Sequence, residues 1–326
     1  MSIKVSVVIP TYKRPALLLK CISQLAQQSF YKKEYEVIVV TDGIDFNTVT
    51  ELTEFIQQHP SINLSCYNLN PKKGPAAARN KGVYNAKGEL ILFTDDDCLP
   101  QQDWIAAYWN VYYAFNKQAA AFTGKTIVPY SAKPTDYEKN IANLETAEFI
   151  TANCAIAKNV FEKLGGFNEN FPIAWREDSD MHFKLIKNNI PVHRVKNAVV
   201  IHPVRKATWG VSLKEQKKSV YNALLYKEHA SLYKQRISNE PVWNYYAMII
   251  LFFFAVLFAI KGLHIPAIVA FTCWLLLLAD FTYQRLKSTS KHISHVVEMI
   301  FTSALIPFLS VFWTLYGSFK YKTFLL

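Results

Sequence analysis

The sequence predicts an α/β fold with a mostly parallel central sheet, followed by a C-terminal region that enters a membrane. Three observations lead to this prediction. Short β-branched segments alternate with segments of helical spacing over residues 3–67. An acidic triplet, Asp95-Asp96-Asp97, directly follows a short apolar run at 90–93. Beyond residue 240 the chain contains three long apolar stretches. The first two features indicate a ligand-binding domain and the third a membrane anchor.

The N-terminal segments predict alternating strands and helices. Strands are expected at 3–9, 35–40 and 62–67, with helices over 16–27 and after Asp45, which would cap the second one. Strand–helix–strand units of this kind make parallel neighbours, so the sheet should be Rossmann-like. Neither G-x-G-x-x-G nor G-x-x-x-x-G-K-[ST] occurs. The dinucleotide fingerprint and the P-loop are therefore excluded.

The acidic triplet is the first candidate site. It follows a predicted buried strand at 90–93, where open α/β sheets bind ligands. In extended backbone Asp95 and Asp97 point to the same side and could share one oxygen-seeking divalent ion. A solvated acidic turn is the alternative. The site predicts Mg²⁺ or Mn²⁺ as the cofactor.

Polar residues after the other strand ends suit a nucleotide. Tyr12 offers a stacking face, Asp42 accepts hydrogen bonds, and Arg14 and Arg79 supply positive charge. Two lysines and Gly74 precede a helix of small residues, whose N-terminus suits a diphosphate. Each feature also has an ordinary structural interpretation, and the helix could simply pack on the sheet.

Composition limits the remaining possibilities. The chain has 326 residues, a formal charge of +11 and 51% hydrophobic residues, which together suit a membrane protein with a basic cytoplasmic face. Its five cysteines are scattered and form no C-x-x-C pair. This argues against a disulfide framework and a zinc site, and for a reducing compartment. We expect no signal peptide, because the apolar segment at 5–9 is too short.

Four motifs together resemble glycosyltransferase family 2, and the likeness covers about the first 205 residues. They are residues 7–14, residues 39–43, Gly74 with Ala78-Arg79-Asn80, and the acidic triplet. The resemblance implies a GT-A fold that binds a nucleotide-diphosphate sugar. It implies that the Pro10–Tyr12 loop and Asp42 hold the nucleobase. The predicted donor-binding residues are Pro10, Thr11, Tyr12, Arg14, Asp42, Gly74, Arg79, Asp95 and Asp96.

The same resemblance assigns the metal, the base and the acceptor side. Asp97 would be the metal-binding end of the D-x-D motif, with His202 as a second ligand unless that histidine is structural. Asp178 would be the general base, with Asp180 as its alternative, although carboxylates in a first helical turn also serve as caps. Asn153 and Glu177 are the acceptor-side candidates. Further predicted elements are a core helix at 103–115 and strands at 119–128, 151–156 and 199–203.

The C-terminal third predicts membrane attachment. Residues 204–239 carry eight Lys or Arg against two acids and suit a basic interfacial helix, or else a helix packed on the catalytic domain. Apolar spans are expected at 242–260, 265–281 and 299–319, the third either crossing fully or lying tilted or re-entrant. The predicted domains are thus 1–205, 206–240 and 241–326. The basic loop at 283–292 predicts a multi-pass inner-membrane protein whose catalytic domain faces the cytoplasm.

The sequence therefore predicts an inverting, metal-assisted glycosyltransferase. It would move a sugar from a UDP- or GDP-sugar to a hydroxyl of a lipid-linked or membrane-proximal glycan, with membrane lipids and no nucleic acid as further partners. Transfer to a polyprenyl phosphate is one alternative. A membrane-anchored nucleotide-sugar-binding protein without catalysis is the other. The donor sugar, the nucleobase of the donor, the identity of the acceptor and the linkage are not predicted.

Overall fold

The computed structural model describes residues 2–117 and 121–325. The chain divides into two units, one made of Met1–Pro129 with Ala142–Val204 and the other of Tyr130–Ile141 with Arg205–Leu326. The segment 130–141 thus groups with the C-terminal unit, although the chain on both sides of it belongs to the first. The predicted strand at 119–128 begins with two alanines, Ala119 and Ala120, that lie outside the described residues.

The first unit opens with the predicted alternation of strands and helices. Its elements here are β1 (Val5–Thr11), α1 (Pro15–Ala26), β2 (Tyr35–Asp42), α2 (Phe46–Gln58), β3 (Leu64–Leu69), α3 (Pro75–Asn85) and β4 (Leu90–Phe93). β1 pairs in parallel with β2 and β4, and β2 pairs in parallel with β3. Asp45 caps α2 as predicted, because its Oδ1 accepts the N–H of Thr48 at 3.2 Å.

The chain then adds the second half of the sheet. Its elements are β5 (Leu99–Pro100), α4 (Trp104–Ala114), β6 (Ala121–Ile127), α5 (Asp136–Ala142), β7 (Cys154–Ala157), α6 (Lys158–Lys163), α7 (Glu177–Lys187) and β8 (Val192–Ile201). The described strands form one sheet in the order β3-β2-β1-β4-β7-β6-β8-β5. β7 is antiparallel to both β4 and β6, whereas β8 is parallel to β6. The sheet is therefore mixed, with a continuous parallel N-terminal part.

Both faces of this sheet are buried along β1, β2 and β4. Successive residues of β1 alternate between two apolar clusters, with Val7 and Ile9 in one and Val8 in the other. Helices cover each face, which explains why β1 and β2 are buried along their whole length and do not alternate between buried and exposed residues. Helix α4 packs its aromatic residues into the first cluster, as predicted for a core helix; Trp104 and Tyr108 are fully buried.

The second unit is helical. After α8 (Val211–Glu215) and a 3₁₀ turn come α9 (Val220–Arg236), α10 (Trp243–Ile260), α11 (His264–Leu286) and α12 (Ile293–Tyr321). The backbone of His229 leaves helical geometry (φ −145°, ψ 49°), so the predicted basic helix is interrupted within α9. Helices α10, α11 and α12 are long and apolar enough to span a membrane, with mean hydropathies of 2.0, 1.9 and 1.8.

A largely buried arginine side chain connects four helices of the second unit. Arg285, in the last turn of α11, donates from Nη2 to Asp136 Oδ2 at 2.7 Å and from Nε to Oδ1 at 3.4 Å. Its Nη1 donates to Thr302 Oγ1 at 2.7 Å and its Nη2 to Ser212 Oγ at 3.2 Å. The two-pronged pair with Asp136 is the geometry that a guanidinium makes best with a carboxylate. It attaches α5 to α11.

Candidate active site

The acidic triplet forms a turn between β4 and β5, where the N–H of Cys98 donates to the carbonyl oxygen of Asp95 at 3.1 Å. The middle carboxylate, Asp96, is 3% exposed and accepts the Thr11 hydroxyl at 2.8 Å and Arg14 Nη1 at 3.4 Å. Loss of hydration raises the pKa of Asp96 despite these donors. Asp96 therefore holds the loop that follows β1 through Thr11 and Arg14, two other residues that were predicted to bind the donor.

The outer two carboxylates lie in a cluster that suits a cation. One ligand atom from each of Asp95, Asp97, Cys98 and His202 lies within 4.8 Å of the others. His202 is held by its backbone N–H, which donates to Ile127 at 2.8 Å, and its Nε2 is 3.8 Å from Asp97 Oδ1. Among the described residues, its buried Nδ1 has no hydrogen-bond partner. The predicted pair of Asp97 and His202 is thus brought together.

Cys98 is the member of this cluster that was not predicted from the sequence. Its thiol is fully buried, and burial together with the charges of Asp95 and Asp97 raises the pKa of the thiol well above its usual range. The absence of a C-x-x-C pair had argued against a zinc site. Its position immediately after the triplet was the signal that could have identified it.

Arg79 lies between the acidic turn and the start of α7. Its guanidinium is 1% exposed and donates to Asp95 Oδ1 at 2.7 Å and to Glu177 Oε1 at 3.1 Å. Arg79 was predicted among the donor-binding residues. In the structure both terminal nitrogens bond carboxylates, so Arg79 links these two parts of the site.

Helix α7 begins with the two predicted carboxylates. Arg176 precedes them in a left-handed conformation (φ 75°), which is uncommon for a residue with a side chain. Glu177 is 2% exposed, and burial followed by the charge of Asp178 raises its pKa. Asp178 is half-buried and accepts the N–H of Ser179 at 2.6 Å; loss of hydration raises its pKa too. The alternative base, Asp180, is 1% exposed and lies 3.1 Å from the ammonium of Lys184.

The loop before α3 is organised by Asp42. One oxygen of this carboxylate accepts the N–H groups of Lys73 and Gly74, each at 2.8 Å. Gly74 has φ of 101°, and a Cβ placed there would lie 2.4 Å from the carbonyl oxygen of Pro172. Only glycine fits this position. Nearby, the Lys72 ammonium lies 3.5 Å from the ring centre of Tyr12, on the ring that was predicted to stack.

Asn153, predicted on the acceptor side, is a core residue. Its side chain is 0% exposed. Oδ1 accepts Trp104 Nε1 and the Tyr108 hydroxyl, each at 2.8 Å, and Nδ2 donates to Ala198 at 3.1 Å. These bonds join α4 to the sheet. Glu177, the other acceptor-side candidate, is likewise buried, against Arg79.

Two sequence models of protein families match the chain. One, described as glycosyl transferase family 2, matches residues 6–165, and the other, glycosyl transferase family group 2, matches residues 102–286. The second alone covers more than half of the chain. The chain belongs to the family 2 glycosyltransferases.

Curated relatives agree with this assignment. Glycosyltransferase AglE of Haloferax volcanii is 26% identical over 170 residues, which are 50% of this chain and 55% of that protein. The poly(ribitol-phosphate) beta-glucosyltransferase of Bacillus spizizenii is 34% identical over 107 residues, 33% of this chain and 17% of the relative. A third relative, from Methanococcus voltae, is 24% identical over 120 residues, 37% of each chain; it is named dolichyl N-acetyl-alpha-D-glucosaminyl phosphate 3-beta-D-2,3-diacetamido-2,3-dideoxy-beta-D-glucuronosyltransferase. The matches thus span about half the length of these relatives, or less.

Solved structures share the fold. The mannosyltransferase PcManGT of Pyrobaculum calidifontis, in complex with GDP-Man and Mn²⁺, superposes with a TM-score of 0.61 at 18% identity, covering 97% of this chain and 88% of that one. TarS of S. aureus superposes with a TM-score of 0.51 at 18% identity, covering 72% of this chain and 44% of that one. At this identity the likeness shows the fold alone, and it confirms the predicted GT-A architecture.

Proposed function

We propose that the protein transfers a sugar, with inversion, from a nucleotide-diphosphate sugar to a hydroxyl of a lipid-linked or membrane-proximal glycan. One observation carries the proposal. Arg79 joins Asp95, at the edge of the cation cluster, to Glu177, the neighbour of Asp178. The cation cluster, which suits a diphosphate-bearing donor, and Asp178, which suits a general base, are therefore linked through Arg79 and Glu177.

The donor would bind along the loops that follow β1 and β2. Asp42 holds the backbone that leads into α3, and Lys72 and Lys73 place positive charge beside that helix N-terminus, which favours a diphosphate. Tyr12 would stack on the base once Lys72 moves from its ring. A UDP- or GDP-sugar fits this description, and the GDP-Man bound by the Pyrobaculum neighbour supports the class of donor.

A divalent cation fits the cluster next to the donor loops. Two carboxylates and an imidazole whose second nitrogen is unpartnered among the described residues are suitable ligands for Mn²⁺ or Mg²⁺. Asp95, Asp97 and His202 would hold the ion, which when bound neutralises the charge that develops on the diphosphate leaving group. The Mn²⁺ in the Pyrobaculum neighbour supports the choice of ion.

Asp178 would take the acceptor proton. A base must be within reach of solvent and substrate, and Asp178 is half-buried whereas Glu177 and Asp180 are buried and paired. Glu177 is therefore assigned to positioning Arg79 and not to the acceptor. A single displacement assisted by one base inverts the anomeric centre.

The acceptor would lie at a membrane. Helices α10–α12 have the length and hydropathy of spans, and the name of the Methanococcus relative refers to a dolichyl phosphate-linked sugar. We further propose that the protein is a multi-pass inner-membrane protein with its first unit in the cytoplasm, since Lys287 and Lys291 make the connection from α11 to α12 positive.

The test is sugar transfer by the purified full-length protein with detergent-extracted native lipids, a panel of UDP- and GDP-sugars, and Mn²⁺. Release of the nucleoside diphosphate is measured for the wild type, Asp178→Asn, Asp180→Asn and Asp103→Asn. Asp103 is the matched control, because it too lies at the start of a helix and its carboxylate accepts a hydrogen bond from Ser29, outside the site. Asp178→Asn should lower kcat by about 100-fold or more, while Asp103→Asn should not change it.

Wild-type rates in Asp178→Asn would refute the assignment of the base. If the loss appears in Asp180→Asn instead, the alternative base is correct. If polyprenyl phosphate, which is already an anion, is the accepted substrate and Asp178→Asn is mild, transfer to that phosphate replaces the proposed reaction.

A further inference from the structure

The cation cluster contains a donor atom of a different chemical kind. Asp95, Asp97 and His202 offer oxygen and nitrogen, whereas Cys98 offers sulfur within the same 4.8 Å group. Ligands bound to one ion at about 2.0–2.3 Å lie at most about 4.6 Å apart, the diameter of the coordination sphere. The four atoms are thus close to the spacing of a single coordination sphere.

Cys98 is held in this position by the backbone. Its N–H closes the turn onto Asp95, and the next residue, Leu99, begins β5 and pairs with Ile201, the neighbour of His202. The cysteine and the histidine are therefore adjacent because two strands are paired. The side chain of Cys98 is fully buried, which argues against the alternative that the acidic triplet is only a solvated turn.

We propose that Cys98 is a ligand of the bound cation and that the site consequently favours divalent ions with affinity for sulfur, such as Co²⁺, Zn²⁺ and Cd²⁺, over Mg²⁺. This inference rests on the metal site of the proposed function and adds to it a ligand and a preference among metals. Carboxylates alone suit Mg²⁺ and Mn²⁺, whereas a mixed set with thiolate and imidazole suits the later transition metals.

Binding would convert the thiol to a thiolate. A sulfur–metal bond forms, the S–H bond breaks, and its proton passes to solvent without any change of oxidation state. A dication reverses the local electrostatics that disfavour the thiolate in the free protein, and a coordinating thiol is normally deprotonated.

Cobalt provides a direct test, because thiolate ligation produces a sulfur-to-Co²⁺ charge-transfer band in the near ultraviolet. The full-length protein carries Cys66→Ser and Cys273→Ser, which remove its half-buried and exposed thiols. On this background, Cys98→Ser is compared with Cys154→Ser, a buried cysteine outside the cluster. Binding of Co²⁺, Mn²⁺ and Mg²⁺ is measured in parallel by calorimetry, without donor.

The band should appear with Co²⁺, disappear in Cys98→Ser and persist in Cys154→Ser. Affinity for Co²⁺ should fall by about tenfold or more in Cys98→Ser, while affinity for Mg²⁺ changes less. If Co²⁺ binds to the unsubstituted Cys98 protein without the band, the inference is overturned and the proposed metal site is retained. If no divalent ion binds and Asp97→Asn still transfers sugar, both the inference and the proposed metal site are overturned.

Discussion

Arg79 and Glu177 form a fully buried ion pair, with Nη1 of the arginine 3.1 Å from Oε1 of the glutamate across 98 residues of sequence. The same guanidinium reaches Asp95 at 2.7 Å. Removal of charged groups from water is costly unless each is matched, and here one cation is shared by two carboxylates. The pair therefore fixes the start of α7 relative to the acidic turn.

Removal of this cation should destabilise the protein. Arg79→Ala leaves Glu177 buried without its partner, so the free energy of unfolding should fall by roughly 3–5 kcal/mol. Lys117→Ala is the control, because the Lys117–Glu89 pair is 2.6 Å long but 40% exposed on each side and should contribute about 1 kcal/mol or less. The measurement is the denaturation midpoint of both variants in one detergent. Equal shifts in the two variants would contradict the assigned importance of Arg79.

The pH dependence of transfer should follow the raised pKa of Asp178. A base acts in its deprotonated form, so the rate rises with pH as Asp178 loses its proton. Because loss of hydration raises its pKa, this rise should lie at higher pH than the value of about 3.9 for an ordinary aspartate. Burial followed by the charge of Asp178 raises the pKa of Glu177 to about 7, so Glu177 is largely protonated where Asp178 titrates, and Glu177→Gln should leave the rise in place. The profile of kcat/KM measures both outcomes, and a wild-type rise at the ordinary aspartate value, or a displaced rise in Glu177→Gln, would contradict them.

Gly74 should tolerate alanine poorly. Its Cβ would lie 2.4 Å from the Pro172 carbonyl oxygen, in addition to the strain of a positive φ. Gly165 is the matched control: its φ is 75°, but a Cβ there has nothing within 4 Å. Gly165→Ala should therefore cost only the conformational strain, about 1–2 kcal/mol, and Gly74→Ala more. Gly74→Ala should also weaken nucleoside diphosphate binding, measured by calorimetry, because Asp42 holds this loop. If Gly74→Ala and Gly165→Ala lowered stability and nucleoside diphosphate binding equally, the result would argue against the close approach of Gly74 to Pro172.

Asn153 should behave as a structural residue. Asn153→Ala leaves Trp104 Nε1 without its hydrogen-bond acceptor and Ala198 without a donor, at a cost of about 1–3 kcal/mol for each group. Asn188→Ala removes an exposed bond to Lys184 and should have little effect. Thermal denaturation checks this difference. A stable Asn153→Ala protein with a raised KM for acceptor would instead restore the predicted acceptor role.

Local sequence patterns were sufficient for the first half of the fold. The apolar runs of β1, β2 and β4 and the cap at Asp45 each depend on neighbouring residues, and the motifs around Gly74 and the acidic triplet indicated the family. β5 was not foreseen, because its two residues become a strand only by pairing with β8. The interruption at His229 was not foreseen either, because no proline or glycine marks it in the sequence.

The site was predictable as a set of residues but not as a set of contacts. The sequence predicted that Asp97 and His202 lie together. It could not show that Arg79 pairs with Glu177, or that the side chain of Asn153 accepts hydrogen bonds from Trp104 and Tyr108. Such contacts join residues far apart in the chain, and nothing in their local sequence specifies them. Cys98 was set aside because cysteines were judged by their spacing from one another and not by the strand pairing beside His202.

The pair of Arg285 and Asp136 has a practical consequence for dissection of the protein. The chain leaves the first unit after β6, contributes α5 to the helical unit and then returns to form β7. A fragment that stops at residue 204 would keep Asp136 but lose the guanidinium that binds it, along with every helix of the C-terminal group. Truncating the C-terminal helices to obtain a soluble enzyme should therefore leave residues 130–141 without the helices with which they group. Shortening this segment in the same variant is the sounder strategy.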